Sequence, residues 1–238
     1  VRGREVAVLH LEGSGGQYNS AVSRPTANGL EIIGGSNQSD LGRLYQWVTL
    51  LMGMKPYHHE YKLMGLAPYA SENEVLKSLK VLEPVFRLDE QLMAIVYDQK
   101  PSDLYYHFRA AFHGHRFDGI AGAVQRIVEK WAVEWAQLVL RKTSATKLCY
   151  GGGVAMNVKA NMLLSQIAGL DDFYVPLSPA DESNVFGAAY RLTEMHMLKN
   201  GEDPEEIPPL KTPYLGSQFT TKDALAAIEG MPDRDEFH

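Results

Sequence analysis

The sequence has 238 residues, of which 45% are hydrophobic and 22% are charged. This composition excludes a disordered or fibrous chain and predicts a globular domain with a sizeable core. The formal net charge is −6 and no basic run stands out, so we do not expect the protein to bind nucleic acid. The expected ligand is a small molecule. No apolar run approaches the ~20 residues that cross a bilayer, so no membrane contact is expected.

Cys149 is the single cysteine. It excludes an intrachain disulfide and fits a reducing, cytoplasmic location. The chain lacks an initiating methionine and its first strand begins near Glu5, so we expect it to be part of a longer protein. The sequence leaves a homodimer open.

The first third of the chain predicts a three-stranded meander followed by helices. Turn glycines in segment 12–16 separate the first two strands. The expected strands are Glu5–Leu11, Gln17–Arg24 and Leu30–Gly34. The expected helices are Asp40–Gly53, with Ser39 or Asp40 as N-cap, Glu72–Leu82 and Asp103–Phe112. We expect these helices to form an insertion over about residues 40–117.

The second half changes to a β-α-β-α pattern after one long helix. In Asp118–Arg141 apolar residues recur every three or four positions, which predicts a core-facing stripe. The pattern continues as strand Lys147–Tyr150, helix Val154–Gln166, strand Phe173–Pro176 and helix Asn184–Leu198. The two strands are therefore expected to be parallel neighbours.

This order of elements predicts an α/β fold with a mixed five-stranded sheet and flanking helices. It is the order of an RNase H-like lobe, and two such lobes build the actin-like ATPase and sugar kinase fold. We expect the lobe to occupy residues 1–199. Residues 200–238 are expected to be a linker and a short tail that lead to a C-terminal domain, because Asn200–Lys211 is rich in proline and acidic residues.

Three consecutive glycines follow the strand at Lys147–Tyr150. Gly151, Gly152 and Gly153 let a backbone approach a phosphate, and the helix that follows offers free N–H groups. Asn157, expected one turn into that helix, adds a side-chain donor. The alternative is a plain strand-to-helix turn.

Asp181 follows the next strand, at the carboxyl end where open sheets present their ligand groups. A carboxylate there can hold a metal ion or a ribose hydroxyl. The alternative is that Asp181, Ser183 or Asn184 caps the next helix, since all three are good capping types.

A third segment, 58–69, carries Lys62 beside a Met-Gly turn. Lys62 is a candidate to bind an anionic group of a nucleotide, and the alternative is a solvated lysine. Adjacent histidines such as His58 and His59 do not share a helix face, so their spacing does not favour a metal site. The pair His113 and His115 lacks a third ligand nearby.

Taken together, these segments resemble the carbamoyltransferase family that includes the nodulation-factor (NodU-like) and antibiotic O-carbamoyltransferases. The resemblance covers almost the whole chain. It is carried by the strand and acidic-glycine turn at Val6–Gly16, Leu41–Tyr45 with Thr49 and Gly53, the lysine motif at Glu60–Tyr69, Gln125 and Glu129, the triple glycine with Asn157 and Asn161, Asp181–Ala189, and Tyr214–Gly216.

The resemblance implies a larger enzyme in which one domain makes carbamoyl-adenylate from ATP and carbamoyl phosphate. An actin-like domain, of which this chain resembles the second lobe, passes the carbamoyl group to a hydroxyl of a small molecule or glycan. By analogy Gly151–Gly153, Asn157 and Asn161 face the adenylate. Asp181, with Glu12, holds a divalent metal ion, expected to be iron, which polarises the carbamoyl carbonyl.

Two departures from the family pattern bear on activity. The paired histidines that hold the family's metal would lie upstream of Val1, and Glu12 stands where the family has aspartate, so its longer side chain shifts any metal contact. We expect the isolated chain to be inactive. A sugar kinase or ATPase of the same fold and a non-catalytic nucleotide-binding lobe remain alternatives, and a tRNA threonylcarbamoyl transferase fits less well.

Overall fold

A computed structural model describes residues 5–26, 29–38, 40–98, 100–210, 212 and 214–232. The chain forms two compact units, Val1–Ala188 and Ala189–His238. The predicted sheet and the sites discussed below belong to the first unit.

The centre of the first unit is a mixed sheet of five strands. The strands are Val6–Leu11 (β1), Ser20–Thr26 (β2), Gly29–Ser36 (β3), Lys147–Gly151 (β6) and Asp172–Tyr174 (β7). Their order in the sheet is β3-β2-β1-β6-β7. The meander pairs are antiparallel, whereas β1 and β6, and β6 and β7, are parallel. The predicted α/β fold with a mixed five-stranded sheet is therefore confirmed.

The long helix at the core is Phe117–Thr143, and its apolar stripe is buried as predicted. Trp135 in this helix is fully buried, and its indole N–H donates to the Met93 carbonyl at 2.7 Å. The helices are Leu41–Leu51 (α1), Glu60–Leu66 (α2), Glu72–Leu82 (α3), Leu104–Ala111 (α4), Phe117–Thr143 (α5), Val158–Leu164 (α6), Asn184–Asn200 (α7) and Thr221–Glu229 (α8).

Two elements between α1 and α5 differ from the prediction. Phe86–Asp89 (β4) and Ala94–Tyr97 (β5) form an antiparallel hairpin where only helices were expected. Every residue of β5 is buried, so it lacks the alternation that signals a strand. The Met64-Gly65 pair was expected to form a turn, but it lies inside the helix α2. A glycine within a helix costs only about 1 kcal/mol, so it does not have to end the helix.

Asp40 occupies the N-cap position of α1 but does not cap the helix with its side chain. Its buried carboxylate accepts hydrogen bonds from the Asn19 amide at 2.9 Å and the Tyr97 hydroxyl at 3.1 Å. It thereby ties the meander to the hairpin. Ser39, the alternative N-cap, lies outside the described residues.

The tail of the chain contains a helix that the sequence analysis missed. Thr220 and Asp223 form a complete capping box at the start of α8. A Thr-x-x-Asp pattern is a sequence signature of a helix N-terminus. The segment expected to be a short tail therefore contains a helix that its own sequence signals. None of the helices in the described ranges is long and apolar enough to cross a membrane.

Gly152, the residue after β6, lies against the last residue of β1, and its φ is +97°. A Cβ atom there would lie 2.3 Å from the Leu11 carbonyl oxygen. Gly152 is thus required by the backbone itself, through both its left-handed conformation and its contact with β1.

We expect Gly152→Ala to lower the free energy of unfolding by at least about 2 kcal/mol, through a strained φ and a backbone clash. Gly151→Ala is the matched control, since its nearest neighbour would be the Pro179 carbonyl oxygen at 3.9 Å. Thermal unfolding of both variants measures the difference. Equal unfolding midpoints for the two variants would contradict this account of the turn.

Candidate functional site

A cleft of about 500 Å³ opens at the carboxyl edge of β1 and β6. Five chain segments line it, and all belong to the first unit. The lining residues are Glu12, Gly13, Ser14, Gly42, Tyr45, Gln46, Tyr57, His58, Glu60, Tyr61, Met64, Gly153, Val154, Met156, Asn157, Ala180, Asp181 and Glu182.

The parallel pairing of β1, β6 and β7 brings the predicted site residues to one edge of the sheet. Glu12, Gly153, Asn157 and Asp181 all line the cleft. The Gly152 amide donates to the Pro179 carbonyl at 2.7 Å, which holds the loop before Asp181 against the glycine turn. The prediction that the glycine turn and Asp181 share the carboxyl edge of adjacent parallel strands is confirmed.

The Gly152 amide already has an acceptor within the protein, the Pro179 carbonyl. Burial raises the pKa of the Glu12 carboxylate, and the Gly153 amide opposes that rise by favouring its charged form. Gly153 also gives Glu12 room, because a Cβ atom there would lie 2.9 Å from the carboxylate Oε2. The expected contact of Gly151, Gly152 and Gly153 with an adenylate stays a prediction, and a phosphate that binds the Gly152 amide would have to share or replace its bond to Pro179.

Asn157 does not lie one turn into a helix, so that part of the prediction is wrong. Gly153–Met156 forms a separate 3-10 turn, and Asn157 is the N-cap of α6, with its Oδ1 accepting from the Ala160 amide at 3.1 Å. The flexible glycines before it permit this extra turn. Helix propensity alone does not predict it.

The Asn157 side chain is buried in a polar network with Tyr45 and Gln125. Its Nδ2 donates to the Gln125 Oε1 at 3.1 Å and to the Tyr45 hydroxyl at 3.2 Å, and the Gln125 Nε2 donates back to its Oδ1 at 3.0 Å. The Tyr45 hydroxyl also donates to Gln125. Burial raises the pKa of Tyr45, so its hydroxyl stays protonated. Asn157 therefore connects α1, α5 and α6 beneath the cleft.

Asn161 and Lys62, both expected to contact the nucleotide, do not line this cleft in the described part of the chain. The Asn161 Nδ2 donates to the Ala155 carbonyl at 2.7 Å, so it stabilises the 3-10 turn. The Lys62 ammonium lies 5.9 Å from the centroid of the Tyr61 ring. Their expected role in binding a nucleotide stays a prediction.

Glu12 is a partly buried carboxylate whose side chain is 16% exposed. Burial raises its pKa above the ordinary value of 4.5. The Gly153 amide, the charge of His10 and the Gly13 amide oppose this rise, whereas the charge of Asp181 adds to it. The His10 Nε2 lies 3.7 Å from the Glu12 Oε1. Glu12 and Asp181 are thus close enough to interact through their charges.

Asp181 is the first residue of a short 3-10 helix, Asp181–Ser183, whose N-cap is Ala180. No side chain caps this 3-10 helix, and the Ser183 hydroxyl instead donates to the Ala180 carbonyl at 3.0 Å. The Asp181 carboxylate is exposed to the cleft. Its position therefore suits a ligand contact better than a structural one.

Carboxylate oxygens suit a hard divalent ion, but Glu12 and Asp181 do not by themselves complete a metal site. The described residues contain no group of three histidine, cysteine, aspartate or glutamate side chains placed to hold one. The expected metal contact of Glu12 and Asp181 therefore stays a prediction.

The cleft is acidic. Four carboxylates line it, from Glu12, Glu60, Asp181 and Glu182, and within the described ranges no lysine or arginine does. Such a surface repels an anion unless a cation accompanies it.

The sequence matches known proteins along most of its length. The family described as "Carbamoyltransferase N-terminus" matches residues 4–190. The uncharacterised protein sll1178 of Synechocystis sp. is 28% identical over 95% of this chain and 39% of its own length. Uncharacterised protein MJ1051 of Methanocaldococcus jannaschii is 27% identical over 78% of the chain and 36% of its own length. Nodulation protein NolO of Bradyrhizobium diazoefficiens is 23% identical over 97% of the chain and 42% of its own length.

Fold and cleft together define an α/β protein that presents a ligand-sized site at the carboxyl ends of its parallel strands. Because the family match covers most of the residues, this chain belongs to the carbamoyltransferase family, in its N-terminal part. It spans between 36% and 42% of the length of the three relatives described above.

We expect Asn157→Ala to lower the free energy of unfolding by about 2–3 kcal/mol, because it removes a helix cap and the three buried hydrogen bonds that join Asn157 to Gln125 and Tyr45. Asn73→Ala, an exposed asparagine on α3, is the control and should change stability little. Thermal unfolding measures both. An Asn157→Ala variant as stable as the wild type would mean that this side chain serves a ligand rather than the fold.

The raised pKa of Glu12 predicts a pH-dependent stability. The folded state binds the proton more tightly than the unfolded state, so stability is fully present below the ordinary pKa of 4.5 and falls as pH rises through the raised value. Glu12→Gln removes this loss. The stability of Glu12→Gln relative to the wild type should therefore increase as pH rises from below 4.5 through the raised pKa. A pH-independent difference between the two unfolding midpoints would refute the shift.

Proposed function

We propose that this chain is the part of a carbamoyltransferase that binds carbamoyl-adenylate and presents its carbamoyl group to a substrate hydroxyl. The observation that carries the proposal is the cleft itself, in which Glu12, Gly153 and Asp181 meet at the carboxyl edge of the sheet. The family membership supplies the reaction type. ATP and carbamoyl phosphate are the proposed sources of the adenylate.

The strand order supports a finer statement of the fold. A three-stranded antiparallel meander followed by two parallel strands is the arrangement of an RNase H-like lobe, and we propose that this lobe belongs to an actin-like domain. In such a lobe a ligand lies at the carboxyl ends of the parallel strands. The adenylate would then rest beside Gly153, whose missing side chain leaves room for the Glu12 carboxylate at the edge of the cleft.

The acidic lining sets a condition on this proposal. The phosphate of an adenylate is an anion, and the four carboxylates of the cleft oppose it. We propose that a cation shared by Glu12 and Asp181, together with groups from the rest of the protein, offsets this repulsion. A divalent ion, expected to be iron, would also polarise the carbamoyl carbonyl. The described residues alone do not complete its site, so no step of the transfer is assigned to it.

Asp181 has an electrostatic role in this proposal that does not depend on residues outside this chain. Its exposed carboxylate lies at the edge of the cleft, and its charge adds to the rise that burial causes in the pKa of Glu12. A group in this position contributes to the electrostatics around the reacting carbonyl without holding the local fold together. The amide of asparagine has nearly the same shape but no charge.

We expect Asp181→Asn in the full-length protein to lower carbamoyl transfer by roughly 100-fold or more, since charge stabilisation at a reacting carbonyl is worth several kcal/mol. The unfolding midpoint should barely change, because Asp181 caps no helix. Asp172→Asn, at an exposed residue of β7, is the control. The assay supplies ATP and isotope-labelled carbamoyl phosphate and follows the label first into the adenylate and then into hydroxyl compounds.

The two stages separate the possible outcomes. Transfer lost with adenylate formation retained supports the proposal. Normal transfer by Asp181→Asn contradicts the role of this carboxylate. A wild-type protein that phosphorylates a sugar with ATP alone would instead be a kinase, and one that binds adenylate without transferring anything would be a non-catalytic nucleotide-binding protein.

A further inference from the structure

Two exposed tyrosines stand in the segment of the cleft that the preceding proposal does not use. Tyr57 is 83% exposed and Tyr61 is 62% exposed, and both line the cleft. Met64 and Met156 line it as well, and Met156 is 56% exposed. Large apolar side chains that line a concave surface and stay exposed are typical of ligand sites. We call Tyr57 and Tyr61 the aromatic wall.

The backbone at Tyr57 is held in a conformation that a bulky residue rarely adopts. Its φ is +65°, in the left-handed region that favours glycine. Neighbouring bonds hold it there: the Tyr57 amide donates to the Glu60 Oε1 at 2.7 Å, and the Lys55 amide donates to the His59 Nδ1 at 3.1 Å. Glycine would satisfy this turn without strain, so the turn itself does not account for the tyrosine ring.

Tyr57 is the freer ring of the wall. The Tyr61 ring already has the Lys62 ammonium 5.9 Å from its centroid and the His59 ring at its edge, with centroids 6.5 Å apart. These contacts occupy part of the Tyr61 ring, whereas Tyr57 makes no ring or cation contact with the described residues. Tyr57 is therefore the side chain with an aromatic face available to an incoming molecule.

The charge beside the wall restricts which molecules it can bind. The Glu60 carboxylate accepts from the Tyr57 amide at 2.7 Å and also lines the cleft. It can accept hydrogen bonds from hydroxyl groups, and it repels negative charge there even when a cation occupies Glu12 and Asp181. An aromatic face packs against the C–H face of a saturated ring or against another flat ring. A ring that carries several hydroxyls and no negative charge satisfies both surfaces at once.

We propose that Tyr57 is a specificity-determining residue that packs against the acceptor, and that the acceptor is a hydroxylated ring without negative charge. This inference rests on the proposed function, because it assigns the aromatic wall to the acceptor and the glycine turn to the adenylate. Tyr57 touches the substrate in this arrangement but takes no part in bond making.

The test uses the full-length protein, its Tyr57→Gly variant and three probes. Methyl glucoside is the neutral ring, methyl glucuronide the anionic ring, and sorbitol the acyclic polyol. Binding is measured by ligand-observed NMR, and AMP binding is measured in parallel by calorimetry. Tyr57→Gly removes the ring and suits a positive φ, so its unfolding midpoint should stay equal or rise. Tyr69→Ala is the control, since Tyr69 is 79% exposed but is not among the described residues that line the cleft.

We expect the wild type to bind methyl glucoside at least about tenfold more tightly than methyl glucuronide at low salt, with the gap narrowing as salt screens the carboxylates. Tyr57→Gly should weaken methyl glucoside binding about tenfold, the usual worth of one ring contact, and leave AMP binding unchanged. Tyr69→Ala should bind every probe as the wild type does.

Three results would overturn the inference. The wild type could bind neither ring better than sorbitol, or Tyr57→Gly could bind methyl glucoside normally. Tyr57→Gly could also lose AMP and methyl glucoside equally, which would assign the aromatic wall to the adenine. Failure of the proposed function looks different. In that case the wild type does not bind AMP, whatever Tyr57→Gly does to the sugar probes.

Discussion

The parallel pairing of β1 with β6 is the constraint on which the site depends. It sets His10 opposite Gly151 in register, so both strands end at one edge and their following turns meet. The approach is so close that only glycine fits at position 152, against the Leu11 carbonyl. That contact places Gly153 against the Glu12 carboxylate, and the Gly152–Pro179 hydrogen bond then brings Asp181 to the same place. A main-chain arrangement thus assembles the acidic side of the cleft.

The sequence predicted this arrangement because its signals are local and strong. Alternation in β1, the glycine turn and the stripe of α5 each match one period of secondary structure, and the order of elements restricts how the strands can pair. The family resemblance pointed to Glu12, Gly153 and Asp181, which do meet. The hairpin at Phe86–Tyr97 was missed because its second strand is buried on both faces.

Side-chain partners, unlike elements, could not be predicted from the sequence. Asn157 was expected to face a ligand, but it is separated by 112 residues along the chain from Tyr45, which it binds. Asp40 was expected to cap a helix, but its carboxylate is buried against Asn19 and Tyr97. Such contacts depend on long-range packing, which local propensity does not encode. Tyr57 carried no signal in the sequence, because its left-handed backbone appears only in the structure.

In the proposed function, the cleft at the carboxyl edge of β1 and β6 holds carbamoyl-adenylate. A crystal structure of the full-length protein prepared with ATP and carbamoyl phosphate is the decisive test. We expect electron density for the adenylate against Gly153, with its carbamoyl group directed toward Asp181 and the aromatic wall left free for an acceptor. An adenylate bound only at another surface, with this cleft empty, would contradict it.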